Sequence, residues 1–287
     1  MAEKTYSGPS ATTFGPDLAE ALIPVVGPLV SILVPCCGML EYTKLLVPSL
    51  LKHTRPPFEI IFIDIGSLDG TAEYLAGVAT IHPTIRVEVV RTPTDLGIAE
   101  ACNVALAKAH GDFLVLLNND TVVTNGWLNQ LLGLLNFSPA IGMVGPMSNY
   151  AAPPQLVETV PYRIGPKKFG KLEGRHGASE VLVDVEAVDE FAREFRDKNR
   201  GKWVNAERLG GFCLIITRDA LIKMGPLEPW TDLSLFDTDI LSAKARQAGY
   251  TLACCRDLFV HHFGARTFAS GAPEKKPTGS DLVSALS

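Results

Sequence analysis

The sequence lacks an apolar run long enough to cross a membrane as a helix, which takes about 20 residues. The best candidate, residues 22–34, is short and is interrupted by Pro24, Gly27 and Pro28. The sequence also lacks a basic excess, because 26 Lys and Arg stand against 31 Asp and Glu, for a formal net charge of -5. Neutralising a phosphate backbone takes clustered Lys and Arg. These absences predict a protein with no transmembrane segment and no nucleic-acid partner.

Three further motifs are missing. No CxxC occurs among the six cysteines, and two adjacent pairs, Cys36–Cys37 and Cys254–Cys255, lie in apolar runs where strand neighbours point to opposite faces. With no signal peptide either, we expect a cytoplasmic protein. No GxGxxG follows the first apolar run, where the sequence from Val34 to Gly38 reads VPCCG. That absence argues against a dinucleotide-binding dehydrogenase.

What the chain does have is an alternation of apolar runs and helical patterns, within a composition that is 47% hydrophobic. Before it lies a weakly patterned arm (1–28), and after it a tail rich in Gly, Pro, Lys and Ser (270–287) that we expect to be disordered. Predicted strands cover 30–34, 58–63, 85–90, 113–117 and 141–144. Predicted helices cover 40–53, 71–78, 98–109, 127–135, 183–198 and 238–248. This order predicts an α/β fold with a mostly parallel sheet and helices on both faces.

In such sheets, ligands bind beyond the carboxyl ends of the strands. Asp64 ends one predicted strand and is followed by Gly66 and Ser67, so it can accept hydrogen bonds from a base or ribose while small residues allow close approach. Asp69, further along the same segment, is better explained as the N-cap of the next helix. We therefore predict a ligand-binding role for Asp64 alone.

A second polar group, Asn118, Asn119 and Asp120, follows the fourth predicted strand. Carboxylate and amide oxygens at a strand end suit a hard divalent cation that bridges a diphosphate. A simple turn would use the same residue types, but the position at the end of a central strand favours the cation site.

Two more groups lie near the C-terminus. Asp237 and Asp239 flank a predicted helix start, where they would cap the helix or, in a cleft, serve as a general base. His261 and His262 end an apolar run and are either ordinary strand residues or imidazole ligands for the same cation. Both alternatives stay open for each pair.

In order along the chain, these motifs resemble those of glycosyltransferase family 2, enzymes with the GT-A fold. Val34-Pro35 and the downstream LEYT resemble the first strand and helix, and residues 64–71, DIGSLDGT, resemble the D(N/D)GSTDGT turn. Asp95-Leu96-Gly97 with Asn103 is similar to the NxG…N segment, and NNDTVV with Gly126-Trp127 to the variant DxD region. GGFC at 210–213 and HHFGART at 261–267 resemble later elements. The resemblance spans residues 30–268.

The resemblance implies a role for each matching residue. A nucleotide would contact Pro35, Asp64, Gly97, Asn103, Asn118 and Asn119, with Asp64 near the base. Asp120 would be the principal ligand of Mn²⁺ or Mg²⁺, and His261 or His262 would approach the metal or the diphosphate. The catalytic base of the family is an Asp just before a helix. A gapless count places Thr238 there, and a shift of one residue places Asp237, which we prefer, or Asp239.

The resemblance implies a metal-dependent inverting transferase. It would move a hexosyl or N-acetylhexosaminyl group from a nucleotide diphosphate sugar, with UDP favoured, to a hydroxyl of a carbohydrate, lipid-linked or protein acceptor in glycan or surface polysaccharide synthesis. A lipid-linked acceptor would bring the cytoplasmic protein to the inner face of the membrane. We expect one continuous domain, with a nucleotide-sugar-binding half at 29–146 and an acceptor-binding and catalytic half at 147–269.

The sequence departs from the family pattern at three positions near the predicted site. Gly38 stands where Asn is frequent, Cys37 where Tyr is frequent, and Ile65 where Asn or Asp is usual. Loss of a carboxamide beside Asp64 would weaken nucleotide affinity or alter base preference. The alternative function is therefore a nucleotide-sugar-binding protein with little or no transferase activity.

Overall fold

The computed structural model describes residues 28–55, 57–81, 84–93, 97–162, 165–167, 181–182, 185–227 and 238–264. The predicted arm (1–28), except for its last residue, and the predicted tail (270–287) lie outside these ranges. Asp95 and Asp237 lie outside them too. None of the described helices combines the length and the apolar character that a membrane span requires.

The first half of the chain forms four parallel strands with a helix after each of the first three. The strands are β1 (Val30–Cys36), β2 (Phe58–Ile65), β3 (Arg86–Thr92) and β4 (Phe113–Leu117), and the helices are α1 (Leu40–His53), α2 (Thr71–Ile81) and α3 (Ile98–Leu106). β1 and β2 are buried at every position, as expected of strands covered on both faces.

The second half, where it is described, adds eight strands of two to nine residues and four helices. Its strands are β5 (Thr121–Val122), β6 (Ile141–Met147), β7 (Gly165–Lys167), β8 (Val181–Leu182), β9 (Trp203–Ala206), β10 (Cys213–Thr217), β11 (Thr251–Phe259) and β12 (His261–His262). Its helices are α4 (Trp127–Leu135), α5 (Val185–Asn199), α6 (Arg218–Met224) and α7 (Thr238–Gln247).

Eight of these strands form one sheet in the order β3-β2-β1-β4-β10-β6-β11-β9. The predicted α/β class with a mostly parallel sheet is confirmed. Two strands of the sheet run antiparallel to their neighbours. β10 runs antiparallel between β4 and β6, and β9 runs antiparallel to β11. β12 pairs with β5 in a separate two-stranded sheet.

Apolar residues on the two faces of the sheet pack against different helices. On one face, α1, α2 and α4 contribute Leu46, Leu75 and Leu131. On the other face, α3, α6 and α7 contribute small or flexible residues such as Ala101, Met224 and Ala245. This division explains why the strands read as continuous apolar runs in the sequence.

Helix boundaries differ from the predicted ones by a few residues. α3 ends at Leu106 and not at Ala109, because the amides of Lys108 and Ala109 bond carbonyls three residues back, at 3.0 and 3.2 Å. Such bonds tighten the last turn and end the regular helix. α2 continues past its predicted end at Val78 to Ile81.

Candidate functional site

The carboxyl ends of β1, β2 and β4 lie at one edge of the sheet, since β1 pairs in parallel with both neighbours. The loops that follow them, at 37–39, 66–70 and 118–120, are the places where the sequence predicted a ligand site. Four hydrogen bonds connect these loops and the start of α1.

The loop after β1 is tied to the loop after β2 by two hydrogen bonds. The Gly38 amide donates to Oγ of Ser67 at 2.8 Å, and the Leu40 amide donates to Oδ2 of Asp69 at 2.9 Å. Gly38 has φ of +67°, which a side chain would disfavour. The tie therefore depends on a conformation that glycine adopts at little cost.

Asp69 has the capping role that the sequence predicted. Its Oδ1 accepts from the amide and the hydroxyl of Thr71, at 3.2 and 2.6 Å, while Oδ2 bonds the start of α1. Burial alone would raise the pKa of Asp69, but the bonds from Thr71 and Leu40 outweigh it and hold the pKa below its ordinary value. One carboxylate thus caps two helices.

Asp64 is fully buried at the end of β2. Its Oδ1 accepts from the Ser67 amide at 3.1 Å, and its Oδ2 lies 3.2 Å from Nε of Arg91. Pro35 is also buried, on β1 opposite Ile63. Pro35 and Asp64 therefore lie at the carboxyl end of the parallel strands, with Asp64 already bonded within the protein.

The two predicted asparagines beside Asp120 have structural bonds. Nδ2 of Asn119 donates to the Gly38 carbonyl at 3.1 Å and to Oγ1 of Thr43 at 3.0 Å, which ties the loop after β4 to the loop after β1. The backbone N–H of Asn118 donates to the backbone carbonyl of Phe212 at 2.9 Å. These bonds hold Asp120 in place from both sides.

Gly97 is the N-cap of α3, and Asn103 lies on that helix. Gly97 has φ of +75° at the start of the helix, with open space where a Cβ would lie. The side-chain amide of Asn103 makes two 2.9 Å bonds to the backbone of Leu227. It thus fastens the segment after α6 to α3.

Asp120 and His262 face each other. Pairing of β5 with β12 brings them together, and Nε2 of His262 lies 3.3 Å from Oδ1 of Asp120. The opposite ring nitrogen, Nδ1, lies 2.9 Å from the Tyr150 carbonyl. Because a carbonyl only accepts, Nδ1 carries the proton in that bond. In the neutral ring, Nε2 therefore presents a lone pair to a carboxylate oxygen.

This arrangement fits a divalent cation. A cation between the two atoms would be held by the carboxylate oxygen and the ring nitrogen together, and a backbone carbonyl on the second ring nitrogen is the usual support of a metal-bound histidine. No group of three or more His, Cys, Asp or Glu side chains occurs as a metal cluster within the described ranges. The pair alone suits ions that take one or two protein ligands and complete their shell with phosphate oxygens and water.

Aromatic rings fix the orientation of His262. Phe212 stacks on it with ring centroids 5.2 Å apart and an interplanar angle of 16°, and Tyr150 meets it edge-on at 5.5 Å. Neither ring was predicted. Tyr150 follows β6, so the rule about strand ends could have found it, whereas Phe212 precedes β10 and carries no such signal.

His261 has different neighbours. Its Nδ1 lies 2.9 Å from the Tyr162 hydroxyl, and its ring meets Phe263 edge-on at 4.6 Å. Burial, together with the His262 ring, lowers the pKa of His261 to about 3, against a smaller opposing effect of Asp120. Of the two predicted histidines, the structure therefore pairs His262 with Asp120 and places the neutral His261 against Tyr162.

Of the two candidate bases, Asp239 lies in the first turn of α7 and Asp237 falls outside the described residues. Oδ2 of Asp239 accepts from Nη1 of Arg208 at 3.2 Å, and the side chain is 49% exposed. Arg208 lies four residues before Phe212, and Gln155 holds the intervening Gly210 amide at 2.6 Å. The segment 208–212 thus contacts Asp239 at one end, through Arg208, and stacks on His262 at the other, through Phe212.

Solved structures with a similar fold define the class. A mannosyltransferase from Pyrobaculum calidifontis in complex with GDP-Man and Mn²⁺ matches with a TM-score of 0.57 and 19% identity, over 83% of this chain and 58% of that one. GalNAc-T7 with UDP, GalNAc and Mn²⁺ matches with a TM-score of 0.58 and 17% identity, over 82% of this chain and 44% of that one. The fold is therefore the GT-A fold.

The sequence matches the model for glycosyl transferase family 2 over residues 31–179, and the chain belongs to that family. An uncharacterised protein, y4gI, of Sinorhizobium fredii is 29% identical over 264 residues, which are 90% of this chain and 27% of y4gI. An uncharacterised glycosyltransferase of Haemophilus influenzae is 34% identical over 124 residues, 43% of this chain and 48% of that protein. The chain thus spans less than half of either relative.

Proposed function

We propose that the protein is a metal-dependent, inverting glycosyltransferase that uses a nucleotide diphosphate sugar, with UDP favoured, and an acceptor hydroxyl. Family membership supports the reaction class. The observation that carries the proposal is the pairing of Asp120 with His262 at the carboxyl end of the sheet, supported by the Tyr150 carbonyl.

Asp120 and His262 would hold the cation. When bound, a divalent cation supplies positive charge that stabilises a leaving diphosphate without a proton donor. Asp64 would accept a hydrogen bond from the nucleotide base. To do so, its carboxylate would shift its bond to the Ser67 amide or its contact with Arg91.

Asp237 or Asp239 would remove the proton from the acceptor hydroxyl. The acceptor oxygen would form its bond to the anomeric carbon as the bond from that carbon to the phosphate oxygen breaks, and the diphosphate would leave with the electron pair. Attack from the face opposite the leaving group inverts the anomeric configuration.

The test is sugar release and transfer from a panel of UDP-, GDP- and dTDP-sugars, with Mn²⁺ or with EDTA. We expect turnover only with metal, and a loss of roughly 10²-fold or more in Asp120→Asn and in His262→Gln, because such charge stabilisation is worth several kcal/mol. Loss of the base costs about 10²- to 10⁴-fold, so one of Asp237→Asn and Asp239→Asn should show it.

Matched controls for these variants lie far from the site on the chain surface. Asp197→Asn and His110→Gln change side chains that are 58% and 64% exposed, and both should retain full turnover. Turnover that persists in EDTA, or that survives Asp120→Asn unchanged, would contradict the proposal.

A second function, donor binding without transfer, is favoured by two observations. Arg208 occupies Oδ2 of Asp239, and Ile65, buried beside Asp64, replaces the usual carboxamide. If this function holds, calorimetry would show metal-dependent UDP binding while no sugar in the panel is released or transferred.

A further inference from the structure

A cleft of about 240 Å³ lies between α4 and the edge strand β9. We call it the β9 cleft, and its main side chains are Gln130, Phe137, Lys202, Trp203 and Asp257. It contains none of the residues of the site around Asp120 and His262. Nothing in the proposed reaction uses it.

Two aromatic rings of the β9 cleft face solvent. Phe137 is 70% exposed and Trp203 is 36% exposed, and their ring centroids lie 5.8 Å apart with planes tilted by 59°. By contrast, Trp127 is completely buried. Exposed aromatic surface that is clustered and not scattered singly marks a place where a ligand is bound.

Polar groups lie beside these rings. Nε2 of Gln130 donates to the Asp257 carbonyl at 3.2 Å, and its Oε1 is buried, with no hydrogen-bond partner within the described residues. Oδ2 of Asp257 accepts from the Gly201 amide at 2.6 Å and retains a second lone pair. The Lys202 ammonium donates to the Lys198 carbonyl and to Oδ1 of Asn199, at 3.3 and 3.2 Å, and has a third N–H. The β9 cleft therefore places a carboxylate and an ammonium beside two rings.

The combination matches the two surfaces of a sugar ring. A pyranose has an apolar face of C–H groups that packs on an aromatic ring, and a rim of hydroxyls that bond to amide and carboxylate oxygens. The opposite charges of Lys202 and Asp257 offset each other, so the β9 cleft favours a neutral ligand over a phosphate or an anionic lipid headgroup.

A protein partner fits the β9 cleft less well. A stable interface buries about 800 Å² on each partner, whereas only two large apolar side chains are exposed here. The edge strand β9 has four residues, which is a short template for pairing with another chain.

We infer that the β9 cleft is a second carbohydrate-binding site, which takes one unit of a neutral glycan and so holds the acceptor chain away from the reaction centre. This inference deepens the proposed function and rests on it for the role of the glycan. It predicts that glycan binding survives when the reaction centre is disabled.

The test is saturation-transfer NMR on the full chain with cellohexaose, maltohexaose and chitohexaose. We expect at least one of them to bind with a Kd on the order of 1 mM, the weak range expected of a single subsite. Trp203→Ala and Phe137→Ala should each weaken that binding about tenfold, because each removes one stacking ring. Ile222→Ala changes a residue that is 71% exposed on α6, and it should have no effect.

The reaction centre is disabled separately with Asp120→Asn, which should bind the oligosaccharide as the wild type does. Binding lost in Asp120→Asn but kept in Trp203→Ala would place the sugar at the reaction centre and overturn the inference while leaving the proposed function standing. The inference would also fall if none of the three oligosaccharides bound, or if sedimentation showed that Trp203→Ala dissociates an oligomer. Failure of UDP and Mn²⁺ to bind, measured on the same samples, would count against the proposed function alone.

Discussion

His262 is oriented by the backbone of Tyr150. The carbonyl of that residue fixes the proton on Nδ1, and Asn149 bonds both the amide and the carbonyl of His262, at 3.0 and 2.9 Å. Nε2 is thereby directed at Asp120 before any ligand arrives. Pre-arranged ligands bind a cation with less loss of conformational entropy.

A substitution at Gly264 tests whether the orientation of His262 depends on the Tyr150 carbonyl. A Cβ at Gly264 would lie 2.9 Å from the Tyr150 ring, so Gly264→Ala must move Tyr150 and with it the carbonyl that holds His262. We expect Mn²⁺ affinity to fall roughly 10- to 100-fold, the usual cost of disturbing a group that supports a metal ligand. Isothermal titration with Mn²⁺ measures it.

The matched control is Gly249→Ala. Gly249 has φ of +88°, close to the +86° of Gly264, but has open space where a Cβ would lie. Both variants bear the same backbone strain, so only a loss confined to Gly264→Ala supports the account. Equal Mn²⁺ affinity in the two variants would show that contact with Tyr150 does not matter.

At the residue scale, the sequence indicated where polar side chains lie in the fold but not which atoms they bond. Asp64, Asp120 and His262 lie at the predicted edge of the sheet. Asn103 and Asn119 bond the backbone instead, because an amide offers a donor and an acceptor that satisfy a buried main-chain group as readily as a ligand. Only the folded structure shows whether such an amide bonds the main chain.

At the element scale, Glu59 joins the opposite, amino end of the parallel strands. Oε1 accepts from Oγ of Ser31 at 2.5 Å and from the His110 amide at 2.6 Å, and Oε2 pairs with Arg86. Burial would raise the pKa of Glu59, but these partners outweigh it and lower the pKa to about 2. One carboxylate thus connects β1, β2, β3 and the segment before β4.

The lowered pKa predicts how stability depends on pH. Because the folded pKa lies below the unfolded one, the contribution of Glu59 is complete above about pH 4.5 and is lost as the pH falls towards 2. It amounts to roughly 3 kcal/mol of the free energy of unfolding. Urea unfolding of wild type and Glu59→Gln should give curves that differ most at pH 7, differ less at pH 3 and converge only as the pH reaches about 2.

Glu190→Gln serves as the control, because Glu190 is 68% exposed and pairs only along its own helix in the described structure. It should unfold like the wild type at both pH values. A difference between wild type and Glu59→Gln that stays constant from pH 7 to pH 3 would show that the Glu59 charge is not the source of the stabilisation.

The sequence predicted elements where one periodicity extends over many residues. The continuous apolar runs of β1 and β2 and the regular spacing in α1 gave the strands and the helix correctly. The pattern did not show that β10 lies antiparallel between β4 and β6, since an apolar run carries no information on strand direction. That position depends on contacts far apart in sequence, such as the bond from the Asn118 amide to the Phe212 carbonyl.

At the scale of the whole molecule, the candidate cation site is assembled from both halves of the sequence. Asp120 precedes β5, His262 lies in β12, and β10 carries the neighbouring segment into the sheet beside β4. The two motifs are far apart along the chain, so the sequence could name each of them and could not show their contact.

The most direct test of this account is calorimetric titration of UDP into the full chain with and without Mn²⁺, for wild type and for Asp120→Asn. We predict that Mn²⁺ strengthens UDP binding about tenfold or more in the wild type and has no such effect in Asp120→Asn, because the cation would couple the carboxylate to the diphosphate. Equal UDP affinity with and without Mn²⁺ in the wild type, or an undiminished Mn²⁺ effect in Asp120→Asn, would contradict it.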